Sequence, residues 1–354
     1  MTTTPQPRSG IADLPPYVAG RPADPGAFKL SSNENPFPPP AAILEAVAAA
    51  AASLNRYPDM ACARLYAALG ERLGVPTDWL AAGTGSVAVL YHLLQAFCGP
   101  GDEVVHAWRS FEAYPIAVSV CGATGIRVPV DEDGRHDLTA MRGAISPRTR
   151  VVILCTPNNP TGPALTHEEV ADFVDHLRSD VLVVVDEAYR EFVRVDDPVD
   201  GVELVRAYPN VVAMRTFAKA FGLAGLRVGY CVARPEIAAP IRACALPFGV
   251  STIAQEAAVA ALGCTSELAD RVDAIVAERV RVLAALREQG WTVPDPQGNF
   301  VWLALGDRAA DFAAMAGDAG IVVRPFAGDG VRVSIGEIPA NDRFLDVAGS
   351  FLEG

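Results

Sequence analysis

One stretch, RVVILCTPNNPTGPALTHEEVADFVDHLRSDVLVVVD (residues 150–186), holds an amphipathic segment between two continuous apolar runs. The runs RVVILC and VLVVVD are rich in Val, Ile and Leu, which is typical of strands covered on both faces, as in parallel sheets. Between them, the spacing of Thr166 and Glu169 predicts a capping box at the start of a helix. The apolar face of that helix consists of Val170, Phe173, Val174 and Leu177. The stretch therefore predicts a β-α-β unit.

Further strand candidates flank this unit on both sides. They are VVHA (104–107), IRVPV (126–130), NVVAMR (210–215) and RVGYCVA (227–233). Because short apolar runs alternate with helical segments, the sequence predicts an α/β fold with a mostly parallel sheet between layers of helices. In such a sheet, ligands bind at the carboxyl ends of the strands.

The pattern changes after residue 245. A long helical segment, ELADRVDAIVAERVRVLAALREQG, precedes the strand candidates FVWLAL, IVVRP and VRVSIG, with the helix DFAAMAGDAG between the first two. We expect three parts: a Pro-rich N-terminal arm (1–45) that joins the smaller domain, a large domain (46–245) and a smaller α+β domain (246–354).

Composition and charge narrow the class of protein. The chain has 354 residues and a net charge of −13, which argues against nucleic acids and anionic membranes as partners. The N-terminus has no basic region followed by an apolar core, so no signal peptide is predicted. Seven scattered cysteines and five histidines without ligand spacing predict neither a disulfide framework nor a metal site. The expected location is the cytoplasm.

Three polar motifs follow predicted strands and should meet at one edge of the sheet. They are PNNPTG (157–162), DEAY (186–189) and the run TFAKAFGLAGLRVGY (216–230), which contains Lys219. Every neighbour of Lys219 in this run is apolar or small until Arg227. A lysine held away from water has a lowered pKa and can form a Schiff base with an aldehyde. For Lys219 in isolation, a snorkelling surface lysine is the alternative.

In this order, the motifs resemble those of the fold-type-I pyridoxal-phosphate (PLP) aminotransferases. Within that group the chain is similar to the histidinol-phosphate aminotransferase family and its aromatic amino acid aminotransferase relatives. The resemblance extends from SSNENPFPPP (31–40) through NRYPD (55–59) to VRVSIG (331–336). It implies the PLP-dependent transferase type I fold, with a seven-stranded type of sheet in the large domain, and pyridoxal 5′-phosphate as the cofactor. It also implies that Lys219 bonds the cofactor and, once freed, carries a proton during the reaction.

The resemblance assigns further residues to the cofactor ring. Asp186 would pair with the pyridine nitrogen and keep it protonated. Tyr189 and Asn159 would hydrogen-bond the 3′-oxygen of the cofactor, and Phe111 would stack on the ring. From the residues alone, Asp186 is equally an ordinary carboxylate at a strand end, Asn159 part of a turn and Phe111 a core residue.

A Gly-rich turn, GTGSVAVLYHLL (83–94), opens a predicted helix, where backbone amides and the helix dipole favour an anion. A simple helix N-cap is the alternative for this turn. The resemblance implies that the cofactor phosphate binds here, held by Gly85, Ser86, Thr216 and Arg227. The chain departs from the family at Ala218, where a hydroxyl residue is usual, so one phosphate hydrogen bond should be missing.

Tyr57, in NRYPD, matches a tyrosine that reaches the cofactor phosphate of the neighbouring subunit in this family. The resemblance therefore implies a homodimer with two shared active sites. The alternative for Tyr57 is a turn residue before Pro58.

Substrate recognition is assigned to two arginines and the N-terminal arm. Arg332 matches the arginine that binds the substrate carboxylate, and Arg324 would take a second anionic group. Tyr17 and Asn33 of the arm would complete the substrate site.

The preferred substrate depends on the segment LPFGVSTIAQEAA (246–258), where histidinol-phosphate enzymes usually carry asparagines. Gly249 and Ser251 stand at those positions, which predicts a more apolar and roomier pocket. We therefore expect transamination of phenylalanine and tyrosine with 2-oxoglutarate, which gives the aryl 2-oxo acid and L-glutamate. Histidinol-phosphate transamination is the alternative.

Two other classes share the cofactor residues. A PLP-dependent decarboxylase on the same scaffold would release carbon dioxide and form no glutamate. A regulatory protein with an aminotransferase-like sensor domain would need an N-terminal DNA-binding module, and only about 80 residues precede the sheet.

Overall fold

The computed structural model describes residues 4–8, 10–12, 14, 20 and 22–353. The strands in this part of the chain are β1 (Phe28–Lys29), β2 (Leu80–Gly83), β3 (Glu103–Trp108), β4 (Thr124–Pro129), β5 (Thr149–Cys155), β6 (Leu182–Asp186), β7 (Val211–Thr216), β8 (Gly229–Val232), β9 (Phe300–Leu303), β10 (Ile321–Val322), β11 (Arg324–Phe326) and β12 (Gly330–Ser334). The helices are α1 (Ala41–Ala51), α2 (Ala63–Leu73), α3 (Ser86–Phe97), α4 (Ala113–Cys121), α5 (Leu138–Gly143), α6 (His167–Asp175), α7 (Gly201–Ala207), α8 (Pro235–Ala243), α9 (Thr252–Gly263), α10 (Thr265–Glu288), α11 (Ala309–Asp318) and α12 (Ile338–Glu353).

The central sheet has seven strands in the order β2-β8-β7-β6-β5-β3-β4. All neighbours from β7 to β4 are parallel, while β8 is antiparallel to both β7 and β2. The predicted β-α-β unit is confirmed as β5, α6 and β6. At the start of α6, the Thr166 side chain accepts from the backbone of Glu169, and the Glu169 side chain accepts from the backbone of Thr166. The predicted α/β class with a mostly parallel sheet is therefore confirmed.

Three strands differ from the sequence prediction, and one of them is the two-residue strand β1 in the arm, where no strand was predicted. The edge strand β2, with the sequence LAAG, was not predicted because it lacks the β-branched residues that mark strands. The predicted strand IVVRP is divided at Val323 because the chain changes partner there. Val322 pairs with Lys29 of β1, whereas Arg324 pairs with Arg332 of β12.

Apolar clusters cover both faces of the central sheet. One face packs against α1, α2, α6, α7 and α9, and the other packs against α3, α4 and α8. Strand residues alternate between the two clusters: in β6, Val183 and Val185 belong to the first and Val184 to the second. Because both faces are buried, the central strands are continuous apolar runs.

A third apolar cluster lies under the antiparallel sheet β11-β12-β9 and includes α10, α11 and α12. Leu30 of the arm belongs to this cluster, next to the pairing of β1 with β10. Helix α9 packs with the central sheet, while α10 passes from the first cluster at Leu268 to the third from Val272 onward. The predicted domain boundaries stay a prediction, and this packing favours a border inside α10.

Within the described ranges, no helix combines the length and the apolar character that crossing a bilayer requires.

Candidate active site

A cavity of about 480 Å³ opens at the carboxyl ends of β5, β6 and β7, between the central sheet and the β11-β12-β9 sheet. Ten of the predicted site residues line it: Ser86, Phe111, Asn159, Asp186, Tyr189, Thr216, Lys219, Arg227, Arg324 and Arg332. The predicted convergence of the three motifs at one edge of the sheet is therefore what the structure shows.

Lys219 projects its amine into this cavity. Its Nζ donates a hydrogen bond to the backbone carbonyl of Ser32 at 3.0 Å and lies 5.8 Å from the centre of the Tyr189 ring. Burial, with a further contribution from the positive charge of Arg332, lowers the pKa of Lys219 to about 7. At neutral pH a substantial fraction of this lysine is the neutral amine that can attack a carbonyl carbon.

Asp186 ends β6 and is buried beneath the cavity. Its Oδ2 accepts from the Tyr114 hydroxyl at 2.7 Å, and its Oδ1 accepts from the backbone amide of Ala188 at 3.2 Å. Burial raises the pKa of Asp186 to about 6, although the Tyr114 hydrogen bond acts in the opposite direction. A buried carboxylate of this kind is stabilised by a cationic partner, such as a protonated ring nitrogen.

Tyr114 is a site residue that the sequence analysis missed. It is buried in α4, and its ring lies edge-on to that of Phe111 with centroids 5.5 Å apart. Burial and the charge of Asp186 raise the pKa of the phenol well above its usual range, so the hydroxyl stays a donor. The motif FEAYP gives no signal of this role, because its partner is 72 residues away.

The Gly-rich turn has the geometry of an anion site. Helix α3 begins at Ser86, and Gly85 before it has a φ of +89° and no side-chain cap. The amides of Ala88 and Val89 donate to the Gly85 carbonyl, whereas those of Ser86 and Val87 precede the first of these bonds. Ser86 and Val87 both line the cavity, so this end of the helix suits an anion. The alternative, a side-chain N-cap, is absent at this turn.

Two glycines let other groups approach the turn closely. A Cβ on Gly85 would lie 2.6 Å from Nη2 of Arg227, and a Cβ on Gly229 would lie 2.3 Å from the amide nitrogen of Ser86. The Arg227 guanidinium therefore rests directly on the turn. Thr216 also faces the cavity, and its Oγ1 accepts from the backbone amide of Ala218 at 3.1 Å, so its hydroxyl hydrogen remains for another acceptor.

Asn159 and Arg332 form one hydrogen-bonded unit in the cavity wall. Arg332 donates to Oδ1 of Asn159 at 2.6 Å and to the backbone carbonyl of Ser31 at 2.7 Å. Because its oxygen is engaged in this way, Asn159 offers its NH₂ group to the cavity. Directly opposite Arg332 in the β11-β12 pair lies Arg324, which donates to Oε2 of Glu112 at 2.5 Å. Glu112 is a second cavity residue that the sequence analysis did not single out.

Two of the other predicted residues, Asn33 and Tyr57, are placed elsewhere. Asn33 lies one layer behind the cavity wall, where its Nδ2 donates to the Tyr189 hydroxyl at 3.0 Å, so it positions that phenol. Tyr57 is 81% exposed, stacks on Phe248 at 4.5 Å and does not line the cavity of its own chain. Tyr17 lies outside the described residues.

The two positions used to predict the substrate, Gly249 and Ser251, do not line the cavity. Ser251 is the N-cap of α9, where its hydroxyl accepts from the backbone of Ala254 at 3.2 Å. Within one chain, these residues therefore do not shape the substrate pocket as expected.

Residues 25–346 match the family model of aminotransferase class I and II. The chain belongs to this family. It is 57% identical to an aromatic amino acid aminotransferase of Streptomyces avermitilis, in an alignment that covers 99% of this chain and 98% of the relative. It is 56% identical to the enzyme of that name from Streptomyces coelicolor, with the same coverage.

Among solved structures, the chain is similar to histidinol-phosphate aminotransferase from Sinorhizobium meliloti in complex with pyridoxal-5′-phosphate. The TM-score is 0.89 at 28% identity, and 99% of each chain is covered. These comparisons confirm the predicted family, the type I transferase fold, the aminotransferase activity and pyridoxal 5′-phosphate as the cofactor.

The cavity fits this cofactor. A neutral lysine amine suits its aldehyde, a buried carboxylate suits its ring nitrogen, and the α3 turn with Arg227 suits its phosphate. A Cβ at Gly85 would push the Arg227 guanidinium off the turn and would strain a backbone with a φ of +89°.

Proposed function

We propose that this aminotransferase transfers the amino group of phenylalanine or tyrosine to 2-oxoglutarate. The observation that carries the proposal is a single cavity in which the Lys219 amine and the Arg332 guanidinium stand beside a largely apolar wall. The apolar wall includes Val87, Tyr91, Ile116 and Phe326. The names of the relatives at 46–57% identity support the same substrate class.

The bound cofactor supplies an electron sink for the electron pair that the α-carbon of the substrate releases when it loses its proton. The chain must then hold the ring, orient the substrate and move that proton. Asp186, oriented by Tyr114 and the Ala188 amide, would hold a proton at the ring nitrogen, because a buried carboxylate favours a positive partner. Asn159 and Tyr189 would hold the 3′-oxygen, and Phe111 would pack against the ring.

Lys219 has two tasks. As a neutral amine it would hold the cofactor, and its Nζ, when free, would take the proton from the α-carbon of the substrate. A pKa near 7 suits both tasks, since a base works best when its pKa lies close to the operating pH. The Ser32 carbonyl accepts from Nζ and limits where the amine can point.

Arg332 binds the carboxylate that every amino acid and 2-oxo acid substrate carries. Its guanidinium is fixed by Asn159 and the Ser31 carbonyl, so little side-chain freedom is lost when substrate binds. A carboxylate that pairs with this arginine is oriented by two parallel hydrogen bonds. The side chain of the substrate then points to the apolar wall.

Histidinol phosphate is the second candidate substrate, because Arg324 is a cation in the cavity wall and the S. meliloti relative is named for that substrate. The pairing of Arg324 with Glu112 argues for the aromatic substrates, since the arginine already has an anionic partner.

This preference is tested by half-reactions on the purified, cofactor-loaded protein. Each amino donor is added alone, and conversion is followed by the visible absorbance of the bound cofactor. We expect the specificity constant of the half-reaction to be about 100-fold higher for L-phenylalanine and L-tyrosine than for L-histidinol phosphate. An apolar wall offers no hydrogen bonds that would offset the desolvation of a phosphate. L-glutamate should react as well. The reverse order would replace the proposal by the histidinol-phosphate activity, and carbon dioxide release without glutamate would indicate a decarboxylase.

We also propose that the enzyme is a cytoplasmic homodimer with shared active sites. The exposed Tyr57 stacks on Phe248, which lines a small surface cavity together with Met60 and Leu246, and all four side chains are exposed apolar groups. A patch of this kind is typical of a subunit interface. The free thiols of all seven cysteines support a reducing compartment.

Replacing Tyr57 with phenylalanine should weaken cofactor retention by about tenfold, which is the value of one hydrogen bond to the phosphate from the second subunit. The measurement is the dissociation constant of the cofactor. The control is Tyr208→Phe, because Tyr208 directly follows α7 and does not line the cavity. A fully active monomer, or unchanged retention in Tyr57→Phe, would contradict the shared site.

A further inference from the structure

Glu112 directly precedes α4 and adopts an unusual arrangement for an acidic residue at a helix start. Its side chain makes no hydrogen bond to the first amides of the helix, which is the common role of an acid at this position. Instead, its Oε2 accepts from Nη2 of Arg324 at 2.5 Å. The carboxylate therefore pairs with Arg324, which is 212 residues away in the chain, and not with the backbone amides of its own helix.

The pair joins two walls of the active-site cavity. Arg324 lies on β11 in the antiparallel sheet, and Glu112 lies at the end of the loop that follows β3 in the central sheet. Both line the cavity. Their exposure differs: the Arg324 side chain is 8% exposed, whereas the Glu112 side chain is 30% exposed. The carboxylate can therefore turn toward solvent, while the guanidinium is buried beside the Phe326 ring.

A counter-charge is needed at this place. Arg324 and Arg332 are directly opposite each other in the β11-β12 pair, and both guanidinium carbons lie within 6 Å of the Phe326 ring centre, at 5.4 and 5.8 Å. Like charges at opposed positions of a sheet repel each other. Glu112 neutralises one of the two, so the net charge that remains at the wall is that of the arginine assigned to the substrate carboxylate.

This arrangement has opposite consequences for the two substrates of a transamination. An uncharged ring cannot compensate a bare buried guanidinium, so it binds well only while Glu112 stays paired with Arg324. A dicarboxylic substrate brings a second carboxylate, which can replace that of Glu112 in a charge-assisted pair with the buried arginine.

We propose that Glu112 is a specificity-determining residue that exchanges with the distal carboxylate of the dicarboxylic substrate. Paired with Arg324, it makes the pocket accept a neutral aromatic side chain. Displaced toward solvent, it frees the arginine for the 2-oxoglutarate or glutamate side chain. The inference rests on the proposed function, because it assumes that one cavity takes both an aromatic and a dicarboxylic substrate.

The test is a double-mutant cycle with Glu112→Gln, Arg324→Gln and the double variant, all as cofactor-loaded enzyme. Binding of two unreactive acids, glutarate and 3-phenylpropionate, is measured by calorimetry, together with kcat and KM for L-glutamate and L-phenylalanine.

In Glu112→Gln we expect glutarate to bind about tenfold more tightly and 3-phenylpropionate about fivefold more weakly, because the competing carboxylate is gone and the arginine is bare. The changes should appear in KM more than in kcat. In the double variant the gain for glutarate should vanish.

Glu267→Gln is the matched control, since it removes a carboxylate that pairs with Arg271 at 2.6 Å on α10, outside the cavity. It should leave both affinities unchanged, and Glu112→Asp should keep the wild-type preference. Unchanged glutarate binding in Glu112→Gln, in an enzyme that does use L-phenylalanine, would overturn the inference alone. A wild-type enzyme that does not use L-phenylalanine would overturn both the inference and the proposed function.

Discussion

Replacing Lys219 with alanine should lower transamination by about 10⁴-fold or more, because no other group in the cavity combines an attacking amine with a base above the α-carbon. The fold should persist, since Nζ makes one hydrogen bond, to the Ser32 carbonyl, and the alanine removes a costly buried amine. The measurements are turnover with L-phenylalanine and 2-oxoglutarate, and the melting temperature of the apoprotein.

The composition of the chain makes a direct chemical control possible, because Lys29 is the only other lysine in the sequence. Lys29 is partly exposed, pairs with Glu34 at 2.9 Å and lies outside the cavity. After borohydride reduction of the loaded enzyme, the cofactor mass should be found on the Lys219 peptide in the wild type and in Lys29→Ala. It should be absent from Lys219→Ala. A wild-type adduct on Lys29, or normal turnover by Lys219→Ala, would contradict the assignment.

The same lysine makes cofactor uptake depend on pH. Burial favours the neutral amine, and a pKa near 7 means that the reactive fraction grows as the pH rises through that value. Covalent uptake by the apoprotein should therefore accelerate from pH 6 to about pH 8 and then level off. An ordinary exposed lysine, with a pKa near 10.4, would still accelerate well above pH 9.

Much of the fold could be predicted because the pattern of each element agrees with its place in the structure. The continuous runs at β5 and β6 are buried on both faces, and the capping box at Thr166 starts the helix between them. Prediction failed where local pattern and tertiary pairing disagree. Strand β2 contains mainly Ala and Gly and is a strand because β8 pairs with it, and the division at Val323 comes from a change of partner strand.

The candidate site was predictable to the extent that its residues lie in motifs. Lys219 and Asp186 have recognisable neighbours in the chain, so their meeting at one sheet edge follows from the topology rule for strand ends. Tyr114 and Glu112 have no such signal, because each acquires its role from a side chain that is distant in sequence. Tyr57 shows a third limit, since its proposed role needs a second subunit.

Replacing Asp186 with asparagine should lower kcat by about 10²–10³-fold while the protein remains folded and able to bind the cofactor. The change removes one negative charge beneath the ring nitrogen, and a fixed charge in a buried site is worth this much in the transition state. An asparagine oxygen can still accept from the Tyr114 hydroxyl, so the packing is kept. The measurements are kcat with L-phenylalanine and the melting temperatures of the apo and loaded proteins.

The stability of the apoprotein distinguishes loss of charge from loss of structure. Burial raises the pKa of Asp186 to about 6 from an ordinary value of 3.8, so between these values the folded state binds more protons than the unfolded state. The contribution of this group to stability is therefore largest below pH 4 and declines as the pH rises through 6.

At pH 7, Asp186→Asn should make the apoprotein more stable than the wild type, because an uncompensated buried charge has been removed. In the loaded enzyme that charge has its partner, so the same substitution should give no such gain. The control is Asp172→Asn, because Asp172 on α6 forms an exposed pair with Arg142 on α5. This substitution should change neither kcat nor the difference in stability between the apo and loaded proteins. An Asp186→Asn apoprotein that is destabilised as strongly as it is inactivated would mean that the carboxylate holds the fold together and has no electrostatic role at the ring.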